Sequence, residues 1–129
     1  MHRSQLLVQL MLALLFTHEL DAMTQSEWRL LYVLRGLSES EGRWWFVVIH
    51  VPMFWALIAF THHAHAGVQR ASRLGLAVFC IVHAGLHLRL RDDPLATFSS
   101  PLSWSLILGA AFLGCLYLAF ATRSSFGRP

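Results

Sequence analysis

Apolar residues along the 129-residue chain fall into four long runs separated by polar stretches, a pattern that predicts an all-α, four-helix transmembrane bundle. The runs extend from about Ser4 to Met23, Trp44 to Thr61, Leu74 to Leu90 and Leu102 to Thr122. A helix that crosses the hydrocarbon core needs roughly 20 mainly apolar residues. The fourth run meets this with no ionisable side chain, and the second is interrupted only by His50 and Pro52. The first and third fall short. Arg3 to Glu19 and Arg73 to Arg89 each enclose 15 uncharged residues, about 22 Å of helix against a core of about 30 Å. Their polar ends are therefore expected below headgroup level, shielded by the bundle or reached by water. The connections predict an up-down-up-down order within one domain, residues 1–129.

The linker from Thr24 to Arg43 is the longest. Its segment Glu27-Trp28-Arg29-Leu30-Leu31-Tyr32-Val33-Leu34 mixes apolar and charged residues, which predicts a short helix lying at the interface and ending near Gly36. Trp28, Trp44, Trp45 and Trp104 fall near the same boundary, as an aromatic belt would. A cleaved signal peptide is the competing reading of the first run, but Leu20 stands where a cleavage site after Ala22 needs a small residue. Orientation is weakly specified. With the N-terminus cytoplasmic, the ten arginines divide five and five between the two sides; both termini inside is the orientation adopted.

Composition agrees with a membrane chain: 56% of residues are hydrophobic, 13% are charged, and mean hydropathy is +0.52. The basic residues are all arginines that flank apolar runs, so lipid headgroups account for them and a nucleic-acid partner is not expected. Cys80 and Cys115 lie deep in apolar runs and read as small buried hydrophobes, not as a disulfide or a zinc pair.

Antiparallel helices allow depth to be compared without knowing orientation. His18, Glu19 and Asp21 lie near the end of the first span, His50 about two turns into the second, and His83 and His87 in the last turns of the third. All face the end of the bundle that carries the first and third loops. His18 and Asp21, three apart, share a helix face; His83 and His87, four apart, lie about 40° from one another around the axis. Glu19 is rotated about 100° from His18 and is expected to point towards a neighbouring helix or the interface. Ionisable groups inside a membrane are costly and tend to face the interior or a water-filled cavity. The candidate metal ligands are therefore His18, Asp21, His50, His83 and His87, with Asp21 or Glu19 as a catalytic base, because imidazoles on successive turns reach one ion such as zinc. For any single histidine, neutral packing across helices is the plainer explanation. His62, His63 and His65 lie at the other end and read as a solvated loop.

The stretches Thr17-His18-Glu19-Leu20-Asp21-Ala22, Glu27-Trp28-Arg29-Leu30 and Phe46-Val47-Val48-Ile49-His50-Val51-Pro52-Met53-Phe54 resemble a family of small bacterial integral membrane proteins with an HExDA motif near the end of the first helix. The resemblance implies a multi-pass protein of the bacterial inner membrane and draws attention to His18, Glu19, Asp21, Glu27, Trp28, Arg29, His50 and Pro52. It implies no activity. Four functions stay open: a metal site that hydrolyses a lipid; a haem-b electron carrier using two histidines; a proton-relaying transport subunit, which four helices would serve only as a homo-oligomer; and a membrane protein whose polar residues serve packing alone.

Overall fold

The computed structural model describes the backbone of residues 3–126 and side chains as far as residue 121. It contains four helices, α1 (Arg3–Thr24), α2 (Glu39–Thr61), α3 (Ala66–Leu90) and α4 (Pro101–Phe126), with no strand among the described residues. All four contain stretches long and apolar enough to cross a membrane, so the chain is a multi-pass integral membrane protein.

All four helices start earlier than the hydropathy runs, α2 by five residues and α3 by eight. The run marks where the chain meets lipid, whereas the helix continues into the polar flank wherever the backbone can be capped. Ser38 does this for α2: its hydroxyl accepts from the Glu41 N–H at 3.4 Å, and its own N–H donates to the Glu41 carboxylate at 3.2 Å. α4 opens with Pro101 at its first position and the Ser100 hydroxyl accepting from the Ser103 N–H at 2.9 Å.

The inward stripe of α1 runs Val8, Met11, Leu12, Leu15, His18, Glu19, Ala22, and that of α3 runs Leu76, Ala77, Cys80, Ala84, His87. Both keep a spacing of three and four, so the histidines continue the same faces that build the apolar core. α4 packs against both, adding Ala110 and Tyr117 to that core. Gly114 makes the close approach possible: a Cβ there would stand 2.7 Å from the Ala77 carbonyl oxygen, so only glycine lets α3 and α4 meet at this depth.

α2 lies outside this trio. Only Gly42, Phe46 and Thr61 of its residues are buried, and Trp44, Trp45, Val51, Trp55 and Ile58 face outward, as lipid-facing side chains should. Cys115 is also exposed, on the lipid side of α4, while Cys80 is buried; both thiols are free.

The expected interfacial helix after the first span is instead a three-residue 3-10 turn, Glu27–Arg29, followed by further turns. Ser26 takes a left-handed conformation (φ 55°), which ends α1 and reverses the chain. The reversal carries Glu27 and Trp28 inward, to 7% and 3% exposure. Trp28 therefore leaves the aromatic belt and packs on Gly42 of α2, where any side chain would collide with its ring at 2.7 Å. An Arg29–Glu39 ion pair of 2.8 Å ties the turn to the start of α2, and the Thr97 hydroxyl donates to the Gln25 carbonyl, joining the first and third loops.

Candidate metal centre

Three elements bring four ligand-type side chains to one point just below these loops. His18 arrives from the last turns of α1, His83 and His87 from successive turns of α3, and Glu27 from the 3-10 turn. The Nε2 atoms of His18 and His83 are 2.9 Å apart, and those of His83 and His87 are 3.1 Å apart. The Glu27 carboxylate closes the set, with Oε2 at 3.7 Å from His18 Nε2 and Oε1 at 3.5 Å from His87 Nε2. One ligand atom from each of the four lies within 4.8 Å of every other. Phe98 from the third loop covers the outer side, its ring centroid 4.6 Å from that of His87 and 5.6 Å from that of His18.

No assignment of protons pairs all these atoms. Each ring nitrogen offers either one N–H or one lone pair. If His83 Nε2 donates to both neighbours, the Glu27 carboxylate faces two imidazole lone pairs. If His18 and His87 donate towards Glu27, their hydrogen bonds are long and off the His83 axis. Glu27 Oε2 and His18 Nδ1 are in fact buried without a hydrogen-bond partner among protein atoms. Burial would push the Glu27 carboxyl up, but the hydrogen bond from His87 and the charges of His87, His18 and His83 outweigh it. The carboxyl sits below its ordinary range and is ionised at neutral pH.

Glu19 and His50, which share the level, do something different. Glu19 turns towards α2 and its Oε2 meets His50 Nε2 at 2.9 Å. The other ring nitrogen, His50 Nδ1, donates to the Phe46 carbonyl. A carbonyl only accepts, so Nδ1 carries a proton, and a second proton must lie on the line between Nε2 and the carboxylate. The pair therefore holds one shared proton and is neutral as a unit, the inexpensive state for two ionisable groups inside a membrane. Both partners, together with Glu27, His83 and His87, line one cavity of about 290 Å³ between α2 and α3. Leu31, Ile49, Phe79 and Leu86, all exposed, frame its mouth, so it opens towards lipid.

Of the five ligands expected from sequence, three meet: His18, His83 and His87. His50 belongs to the proton-sharing pair instead, because α2 stands off from the α1–α3–α4 trio. Asp21 is also outside the converging set; its Oδ2 is buried and unpartnered one turn after His18. Glu27 takes the carboxylate position. Sequence periodicity gave no sign of it, since a turn driven by left-handed Ser26 reads as an amphipathic stretch. His62, His63 and His65 stay exposed at the far end, with His63 accepting from the His65 backbone N–H at 3.0 Å.

A family model of unknown function (DUF6713) matches residues 4–124, nearly the whole chain and all of the residues above. The chain belongs to this family. No curated protein and no solved structure matches it. Membership in DUF6713, a family of unknown function, carries no reaction to the chain.

Proposed function

We propose that this member of DUF6713 is a metal-dependent membrane protein whose centre is His18, His83, His87 and Glu27, and that it performs hydrolysis on a substrate taken from the lipid phase. The observation that carries the proposal is the meeting of three Nε2 atoms with one ionised carboxylate. Ligand atoms on a tetrahedral ion with bonds of about 2.0–2.1 Å stand about 3.3 Å apart. The imidazole contacts of 2.9 and 3.1 Å, and the carboxylate contacts of 3.5 Å to Oε1 and 3.7 Å to Oε2, are close to that edge length, and one donor atom from each of the four lies within 4.8 Å of the others. A divalent ion would take every lone pair that no proton arrangement satisfies, and three neutral imidazoles with one carboxylate are a donor set that suits zinc. Ionised Glu27 would offset one of its two charges, which matters in a medium where net charge is expensive.

Asp21 has a role in this reading that differs from a direct ligand. With Nε2 on the ion, His18 Nδ1 carries the proton, and a nearby carboxylate is the usual group that orients such a ring. Asp21, three residues along the same face, would supply it by turning its free buried oxygen onto His18 Nδ1, which is also without a partner. With four side chains on it, an ion would need a fifth coordination position to supply a water made nucleophilic near neutral pH. The protein's own part is to exclude bulk water with Phe98 and the first loop, and to present the His50–Glu19 proton from the opposite wall of the cavity to a leaving group. A haem between two of these histidines is disfavoured, because no macrocycle fits between imidazoles already in contact.

Metal analysis tests the proposal. Protein purified in mild detergent with zinc present should hold about one ion per chain, and cobalt(II) in its place should give the visible absorption of a tetrahedral nitrogen and oxygen site. Stoichiometric metal that survives a His83→Ala, His87→Ala double substitution would overturn it, as would wild-type protein that never retains an ion.

A further inference from the structure

A second cleft, of about 360 Å³, runs between α2 and α3 on the membrane-interior side of the site. It shares Met53 and Phe79 with the cavity at the candidate centre, so the two adjoin with only these side chains between them. Its walls are apolar: Met53, Leu57 and Phe60 from α2, and Gly75, Leu76 and Phe79 from α3. The two hydroxyls at its far end do not alter this. Thr61 donates to the Leu57 carbonyl at 2.5 Å and Ser72 to the Val68 carbonyl at 2.8 Å, each spent on its own helix. At the same end the Arg73 Nε–H donates to the Thr61 carbonyl at 2.8 Å and joins α3 to α2, closing the cleft. The result is a blind trough with a polar centre at its open end. From His50 to Thr61 and from His83 to Ser72 is eleven residues on each helix, a rise of roughly 16 Å.

We infer that this trough seats the acyl chain of a lipid whose carbonyl head lies at the His–Glu centre, which makes acyl lipids the substrate class. The inference rests on the metal reading above for its polar end. An extended chain of about a dozen carbons matches a rise of roughly 16 Å. Apolar walls alone do not select it, since lipid is as apolar as the trough and a chain gains little by moving from one to the other. Selection comes from the two ends. The head engages the centre, and the Arg73–Thr61 closure limits the length behind it. An aqueous substrate would have no use for an apolar blind channel.

Photolabelling in zinc-loaded protein reconstituted in phosphatidylcholine nanodiscs tests this, with fatty acids of graded length carrying a terminal diazirine. A chain of about a dozen carbons should insert into peptides around Leu57–Thr61 and Ser72–Leu76, at the end of that 16 Å rise. Gly75→Leu should reduce labelling several-fold: Gly75 lines the trough and a Cβ there meets nothing within 4 Å, so the added side chain has the trough to enter, and an unfolding temperature equal to wild type checks that the variant is folded. Gly85→Leu, equally unobstructed but outside the trough, should leave labelling unchanged. Labelling spread over the outward Val51 and Trp55 face, or unaffected by Gly75→Leu, overturns the inference. So does undiminished labelling after zinc is stripped, because the head would then have no anchor. Zinc content measured on the same samples reads the metal proposal separately: an intact ion with scattered labelling refutes the trough alone.

Discussion

Replacing His83 with alanine tests the arrangement most sharply, because its Nε2 is the atom that touches both of the other imidazoles. A four-ligand zinc site at neutral pH is worth about 10–16 kcal/mol, so one ligand of four carries about 3 kcal/mol, or about 100-fold in affinity. At a free zinc concentration 100 times the wild-type Kd, the ion stabilises the wild type by about 2.7 kcal/mol. The variant at that concentration sits near its own Kd and gains only about 0.4 kcal/mol. Competition with a fluorescent zinc chelator measures the affinity, and thermal unfolding in detergent with and without zinc measures the stabilisation. The control is His50→Ala. It removes the partner of Glu19 but no ligand, so zinc affinity should stay within a few-fold of wild type. Equal affinities for wild type and His83→Ala would refute the reasoning. A His50→Ala loss as large as that of His83→Ala would instead restore His50 to the ligand set and remove the separate role given to its proton.

Three other outcomes follow from the same geometry. Asp21→Asn should weaken zinc binding about 10–100-fold in the same competition assay while leaving the unfolding temperature of the metal-free protein unchanged, as loss of an orienting carboxylate does. Gly114→Ala should destabilise the bundle by about 1–3 kcal/mol in denaturation, because the new methyl meets the Ala77 backbone oxygen, which has no side-chain freedom to yield. Glu27, whose folded carboxyl lies below its ordinary range, stabilises the metal-free fold fully above its unfolded value of about 4.3 and loses that contribution as pH falls through the lower folded value. The stability advantage of wild type over Glu27→Gln, followed by thermal unfolding, should therefore hold from neutral pH down to about pH 5 and shrink below about pH 4.

Much of the frame was readable from the residues. Apolar runs mark membrane crossings because hydrocarbon tolerates little else, and antiparallel order by itself puts His18, His83 and His87 at one depth. The spacing of His83 and His87 also assigns them one face. Depth, however, says nothing of azimuth or of how far each helix stands from its neighbours. His50 shares the level of the others, and depth alone groups it with them, yet α2 sits outside the trio, so His50 meets Glu19 instead. That Glu19 would turn to a neighbour follows from its 100° offset from His18. Glu27 was legible only as part of the EWR stretch. Its inward position depends on a non-glycine residue, Ser26, in a left-handed conformation and on the vacancy beside Gly42 that receives Trp28. Both are tertiary choices without a periodic signature.

The covering of the centre by Phe98 and the first loop, with an apolar mouth between α2 and α3, sets how anything reaches it. Traffic from the aqueous phase meets a closed face, so occupancy follows how strongly a compound partitions into the bilayer, and two substances equally abundant in water will be seen by the site in very different amounts. A hydrophilic chelator should accordingly strip an ion slowly from the intact membrane and a lipid-soluble one quickly, even when their affinities in solution are alike.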